Sequence, residues 1–332
     1  MDTEVSGKPE PGRPVLAVDI GGTKIITALI DGSGRMMAKD RCLTLADEGA
    51  PAVMERLFSA IDGLLERRKM EPSQLAGVSL AAAGAIDSGR GLITVSPNLP
   101  GWHDVPLGDM VRQRYGTDAF LINDASAAAL GECRFGAGRG VSNLVLLTLG
   151  TGIGGGIVIN GEIYLGACGS AGEVGHMVID VNGPRCGCGN QGCLEAMASG
   201  TAVARDAQAR VRQGEKSALV DMVEGKIEAI TTEQVGDAAR DGDSLALDVL
   251  GRAGTYLGVG MASLIDIFNP EMIVLGGGMA KLGDLFLEPA RRVVATNAFP
   301  ISAQAVRIVT AQLGEEAGVY GAAAFAFGSR GG

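Results

Sequence analysis

The chain has 332 residues, roughly twice a typical domain length, with 46% hydrophobic and 20% charged residues. That excludes a disordered chain and a disulfide-stapled mini-protein. A net charge of −10 with 4% aromatics argues against binding to nucleic acid or to an anionic membrane, and no apolar run approaches the ~18 residues of a membrane helix.

Met1–Pro14 is polar, carries three prolines and has no apolar stretch. It reads as a disordered tail rather than a signal peptide, and a cytoplasmic protein is expected. Val15–Ile20 is a short strand closed by Gly21-Gly22. Ile25–Ile30 follows, and Asp31-Gly32-Ser33-Gly34 turns the chain into a third strand, Arg35–Leu43. Ala52–Lys69 has helical spacing, with Val53, Leu57, Ile61, Leu64 and Leu65 on one face. Leu75–Ala83 is a strand, Pro106–Tyr115 a helix and Ala119–Ile122 a strand. Asp124–Cys133 is an Ala-rich helix with Asp124 at its N-cap. The opening pattern then recurs. Asn143–Leu149 is a strand, Gly150–Gly156 a Gly-rich turn and Ile157–Asn160 a strand. Asn160-Gly161 turns into Ile163–Leu165. Leu194–Val211 and Leu245–Ile267 are helices. Glu271–Leu275 is a strand running into Gly276-Gly277-Gly278. Val306–Val309 is a strand and Glu315–Phe327 a closing helix. Strands mixed with helices in this order define an α/β protein with two related halves.

Chemistry concentrates in a few stretches. In Asp19-Ile-Gly-Gly-Thr-Lys24, the backbone of Gly21 and Gly22 can approach an anion. Thr23 adds a hydroxyl, Lys24 a cation, and Asp19 a carboxylate suited to hydrated Mg²⁺. A plain hairpin turn would use the same glycines. Gly150-Thr-Gly-Ile-Gly-Gly-Gly156 is a second such turn. It matches G-x-G-x-x-G formally, but the residues after it read as strand, where a dinucleotide fold needs a helix. A phosphate loop between strands accounts for it better. Gly276-Gly277-Gly278 bares backbone for a flat ligand such as adenine, or simply turns a strand into a helix.

His176, Cys186, Cys188 and Cys193 supply three thiols and an imidazole on a Gly-rich loop. Four such donors fit a closed structural Zn²⁺ site; the alternative is three unrelated reduced cysteines. Asn123-Asp124 ends a strand and opens a helix, where α/β folds place ligands. Asp124 there could take a proton from a hydroxyl or merely cap the helix. Glu173 and Glu195 flank the cysteine loop and could bind a polyol or be plain surface carboxylates. His103 reads as a surface residue. Gly77-Val-Ser-Leu-Ala81 lacks the last glycine of a hydrolase elbow.

Together these motifs resemble the ROK family of sugar kinases, within the actin/hexokinase superfamily of ATPases. Asp19–Lys24 and Leu149–Gly156 look like its two phosphate motifs. Glu173-Val-Gly-His176 matches its E-x-G-H signature, and Cys186-Gly-Cys-Gly-Asn-Gln-Gly-Cys-Leu-Glu195 its C-x-C-G-x-x-G-C-x-E. The resemblance implies a two-lobed actin-like/ribonuclease H-like fold with a duplicated core and a central cleft. The expected layout is residues 15–122 plus 305–330 as a small lobe and 123–304 as a large lobe, with a zinc loop at 176–193 and a tail at 1–14. It implies ATP-dependent transfer of a phosphoryl group to the 6-hydroxyl of a hexose, glucose foremost, with Asp124 as catalytic base. Gly84, Asn98, Asn123, Asp124, Glu173, His176 and Glu195 resemble the sugar-binding set. Asp19, Gly21, Gly22, Thr23, Lys24, Gly150, Thr151, Gly152 and Gly276–Gly278 would hold ATP and Mg²⁺, and His176, Cys186, Cys188 and Cys193 a structural zinc. A homodimer or homotetramer without nucleic-acid or membrane partners is implied. N-acetylglucosamine, N-acetylmannosamine, mannose and fructose kinases share the same residues, and polyphosphate is an alternative donor. Sugar-responsive repressors of the family carry a helix-turn-helix first. Only 18 residues precede Asp19 here, and they are rich in proline.

Overall fold

The structure, a computed structural model, describes residues 12–96 and 98–329. Most of the expected tail (residues 1–11), Pro97 of the expected sugar loop and residues 330–332 lie outside the described residues. In chain order the strands are β1 (Val15–Ile20), β2 (Lys24–Ile30), β3 (Met36–Leu43), β4 (Gly77–Ala82), β5 (Ala85–Asp87), β6 (Leu92–Val95), β7 (His103–Val105), β8 (Ala119–Asn123), β9 (Leu144–Leu149), β10 (Ile153–Ile159), β11 (Glu162–Ile163), β12 (Met272–Gly276) and β13 (Arg307–Thr310). The helices are α1 (Ala50–Arg68), α2 (Leu107–Tyr115), α3 (Asp124–Phe135), α4 (Leu194–Ala198), α5 (Gly200–Arg212), α6 (Leu219–Met222), α7 (Thr232–Arg240), α8 (Ser244–Phe268), α9 (Asp284–Asn297), α10 (Pro300–Ala305) and α11 (Ala317–Gly328). None of these helices is long and apolar enough to cross a membrane.

The chain divides into two compact units. One takes in the chain as far as Leu144, Gly156–Gly172 and the chain from Ala311 onward. The other is Val145–Gly155 with Glu173–Thr310. The first sheet runs β3-β2-β1-β4-β8. β1 pairs antiparallel with β2 and parallel with β4, which pairs parallel with β8. Alternation along β1 explains why both faces are covered. Leu16, Val18 and Ile20 join Leu57, Ile61 and Leu64 of α1 in one core, while Val15 and Ala17 join Val319, Ala322 and Ala323 of α11 in another. Truncating Leu57, fully buried there, would cost about 2–5 kcal/mol.

The second five-stranded sheet has the order β11-β10-β9-β12-β13. β11 pairs antiparallel with β10, and β13 parallel with β12. A small antiparallel sheet, β5-β6-β7, was not expected; its strands are too short to show a period.

The units differ from the expected lobes. Asn123–Leu144 and 156–172 fall in the first unit, and Ala305–Thr310 in the second. The reason for the first shift is helix packing. A Cβ on Gly321 of α11 would sit 1.6 Å from the Ala127 carbonyl of α3, so the two helices run in backbone contact. The expected helix Leu194–Val211 is two helices. Ser199 interrupts it, accepting the Ala202 N–H at 3.2 Å and so capping α5. The second Gly-rich turn spans only Gly150–Gly152, since Gly154–Gly156 lie inside β10.

Candidate active site

The first unit gathers Asp19, the glycine turn, Asn98, Asn123 and Asp124. β1 ends at Ile20, and the turn to β2 is tied internally by Gly21 N–H donating to the Lys24 carbonyl at 3.0 Å. Thr44, fully buried after β3, pins that turn twice. Its hydroxyl donates to the Gly21 carbonyl at 2.6 Å, and its N–H to the Thr23 carbonyl at 2.9 Å. No motif pointed to Thr44. Thr23 is exposed, and Gly22 lies against Asn98, with a built Cβ only 3.1 Å from the Asn98 carbonyl.

Asp19 points toward the first turn of α11, where a Cβ on Gly318 would sit 2.4 Å from its Oδ2. Burial, then the charge of Asp124, push the Asp19 carboxyl up to about 7, with Lys24 pulling the other way. Two carboxylates near one another, short of compensating protein cations, suit a divalent cation. Lys24 was expected to face phosphate; it forms an ion pair with Glu315, which Arg41 also approaches at 3.8 Å.

The N-cap of α3 is Asn123, not Asp124. Asn123 Oδ1 accepts the Ser126 N–H at 3.0 Å, and its Nδ2 donates to the Gly84 carbonyl at 3.2 Å. Gly84 has φ +116°, and a Cβ there would meet the Val95 carbonyl at 2.2 Å, so no other residue fits. Asp124 is therefore the first helical residue, its Oδ1 accepting the Ala125 N–H at 2.9 Å. With capping assigned to Asn123, the Asp124 side chain is not the cap of α3. Burial raises its carboxyl above the usual range, against the lowering by the Ala125 N–H.

The second unit gathers Gly150–Gly152, Gly276–Gly278, Glu173, Glu195 and the cysteine loop. Glu173 precedes a single helical turn, Val174–His176. Gly175 is required there, because a Cβ would fall 1.9 Å from the Ile153 carbonyl. His176 turns Nδ1 toward Cys186 Sγ at 3.7 Å and leaves Nε2 3.9 Å from Glu173 Oε2. Cys188 Sγ and Cys193 Sγ are also 3.7 Å apart, and all four donor atoms lie within 4.8 Å of one another. A tetrahedral Zn–thiolate site has S···S edges of ~3.8 Å, from Zn–S bonds of ~2.3 Å, so the donors fit one ion.

Glu195 is more than a surface carboxylate. Its Oε2 accepts the Ile153 N–H at 2.9 Å, and its Oε1 lies 3.7 Å from Cys186 Sγ. The Gly150–Gly152 turn is closed by Gly150 N–H donating to the Gly152 carbonyl at 3.0 Å. It is held from outside by Gly200 N–H on the Gly150 carbonyl at 2.8 Å and by Thr201 Oγ1 on the Thr151 carbonyl at 2.9 Å. Neither Gly200 nor Thr201 had been singled out. Gly277 has its own structural task, since a Cβ there would meet the Leu149 carbonyl at 2.3 Å, whereas Gly278 is open. His103 is exposed, and Ser79 is buried inside β4, so neither an imidazole catalyst nor a hydrolase elbow is formed there.

The chain matches the family model described as "ROK family" over residues 15–328, and it belongs to that family. It is 40% identical to a glucokinase of Thermotoga maritima over 94% of this chain and 97% of that protein. Among solved structures it resembles a ROK family glucokinase from Streptomyces griseus in complex with glucose and AMPPNP, with TM-score 0.78 and 36% identity over 94% of this chain and 98% of that one. It is also 34% identical to a putative xylose repressor of a Caldicellulosiruptor species, over 93% of this chain and 77% of that protein. The fold is accordingly that of the ROK sugar kinases.

Proposed function

We propose that this protein is an ATP-dependent hexokinase that transfers the γ-phosphate of ATP to the 6-hydroxyl of glucose. The observation that carries the reading is Asp124. It is a desolvated carboxyl at the start of α3, relieved of capping by Asn123 and close enough to Asp19 to shift its titration. A carboxyl raised from its usual range is a stronger base once ionised, and it accepts the hydroxyl proton as that oxygen attacks phosphorus. Asn98, Asn123, Glu173, His176 and Glu195 hold the sugar hydroxyls, with Gly84 alongside. Phosphoryl transfer needs positioning and charge neutralisation more than covalent help. Gly22, Thr23, Thr151 and Gly152 offer N–H and hydroxyl donors to phosphate oxygens, while Gly21 and Gly150, whose N–H groups close the two turns, shape the backbone that carries them. Lys24 adds charge shared with Glu315, Asp19 faces the hydrated Mg²⁺ of the substrate, and Gly276–Gly278 lie under the adenine.

His176, Cys186, Cys188 and Cys193 hold a zinc ion whose role is to fold the loop that carries Glu173 and Glu195, since four protein ligands leave no open position. The working form is a homodimer or homotetramer, and exposed Ile267, Phe299 and Ile301 of the second unit supply apolar surface for it. A coupled assay with Mg²⁺ and ATP or polyphosphate tests the reading across glucose, mannose, fructose and the N-acetylhexosamines. Glucose with ATP is expected to give the highest kcat/KM. Preference for an N-acetylhexosamine would move the substrate, and no turnover with any sugar would overturn the reading.

A further inference from the structure

The segment from Cys193 to Thr201 joins two parts that the chemistry above treats separately. Cys193 is the last donor of the cysteine cluster, with Sγ 3.7 Å from Cys188 Sγ. Two residues on, Glu195 stands between the cluster and the second glycine turn, one oxygen 3.7 Å from Cys186 Sγ and the other on the Ile153 N–H at 2.9 Å. The fit is close, since a Cβ on Gly152 would lie 2.3 Å from that second oxygen. Leu194 N–H is fixed on the Met177 carbonyl at 2.8 Å, next to His176. The helix break at Ser199 then redirects the chain. Gly200 N–H reaches the Gly150 carbonyl at 2.8 Å, and both Thr201 N–H (3.3 Å) and Thr201 Oγ1 (2.9 Å) reach the Thr151 carbonyl. Thr232 Oγ1 on the Gly200 carbonyl at 2.6 Å braces the far end.

The Gly150 and Thr151 carbonyls are thus held from behind by this one segment, and the Gly152 carbonyl by the turn's own Gly150 N–H. Carbonyls drawn back in this way leave the opposite edge of those two peptides, the Thr151 and Gly152 N–H groups, turned the other way, as an anion site requires. The same segment begins at the cluster, so whatever orders Cys186–Cys193 also orders the support of the turn.

We propose that the Cys193–Thr201 segment couples the cysteine cluster to the second glycine turn, so that metal in the cluster sets the affinity for nucleotide phosphates, with Thr201 as a positioning residue. The inference rests on the turn binding nucleotide, as argued above. A zinc loop that only shapes the sugar side would leave nucleotide binding independent of metal.

The test is calorimetric binding of AMPPNP with Mg²⁺ to the full-length protein, without turnover. Zinc-loaded and chelator-stripped protein are compared, with circular dichroism checking that the stripped form stays folded. Stripping is expected to weaken AMPPNP about tenfold, the lower end of what lost support around a metal site costs. Because stripping could unfold the loop, Thr201→Val is measured beside it. Removing that hydroxyl should weaken AMPPNP about two- to tenfold, as for one hydrogen bond. Zinc content should stay near one per chain and glucose KM within about twofold, since Thr201 contacts neither cluster nor sugar residues. Thr201→Ser, which keeps the hydroxyl, should restore binding. Unchanged AMPPNP affinity in both the stripped protein and Thr201→Val would overturn the coupling while leaving the kinase reading intact. Failure of the loaded wild type to bind AMPPNP at all would overturn both.

Discussion

The two glycine turns sit at equivalent places in sheets of the same strand order, yet they are supported in different ways. The turn at Gly21–Gly22 is held from its own sheet, by Thr44 at the end of β3, and is flanked by Asp19, Asp124 and the Lys24–Glu315 pair. The turn at Gly150–Gly152 leans instead on Glu195, Gly200 and Thr201, which follow the cysteine loop. Duplication of a topology therefore carries over the turn but not its chemistry. One turn sits among charged side chains, and the other rests on a segment that continues from the cysteine loop.

The sharpest way to break this contrast is Asp124→Asn. It keeps the shape but cannot take a proton, so kcat should fall at least ~10²-fold with a much smaller change in KM. Because Asn123 caps α3, the variant should be no less stable than wild type, and loss of a desolvated carboxylate should raise its melting temperature above neutral pH. A folded variant with near wild-type turnover would place the base elsewhere. The second unit is probed by Cys188→Ser. Metal analysis should show loss of zinc from near one per chain, and glucose affinity should drop as Glu173 and Glu195 lose their fixed positions. Full metal content with unchanged activity would remove the cluster from the argument.

The acid pair makes a pH prediction. The folded Asp19 holds its proton up to about 7, whereas an unfolded aspartate releases it near 3.8. Between those values the folded state binds more protons, so stability falls as pH rises through this window and is flat above it. The shift corresponds to roughly 4 kcal/mol at most, and Asp124 contributes in the same sense. Asp19→Asn should flatten the denaturation midpoint between pH 4 and 7 in magnesium-free buffer and leave the variant more stable than wild type at pH 8. An unchanged pH slope would mean the carboxylates are solvated. The smallest effect belongs to Thr44→Val, which removes the hydroxyl on the Gly21 carbonyl. Loss of that bond should cost about 1–2 kcal/mol and weaken AMPPNP severalfold. Zinc content should not change, since the hydrogen bonds of Thr44 go to the first turn and to Arg56 of α1, all within the first unit.

Local signals carried much of the architecture. Alternation along Val15–Ile20, the apolar stripe of α1 and glycines between apolar runs mark strands, helix and turns, because each depends on neighbours within a few residues. The cysteine cluster was legible for the same reason, since three of its four donors lie within eight positions in sequence and His176 ten before them. What the sequence left open depends on partners far along the chain. Lys24 looked free for phosphate until Glu315, 291 residues later, came beside it. Asp124 looked like a cap until the Asn123 side chain reached the Ser126 N–H, a choice between adjacent residues that burial and the Gly84 carbonyl settle. Thr44 and Thr201 carry no motif, because their task is to hydrogen-bond carbonyls brought near only by the fold. The placement of α3 in the first unit followed from the backbone contact of Gly321 with Ala127, a meeting of two helices nearly two hundred residues apart that no periodicity within either one could announce.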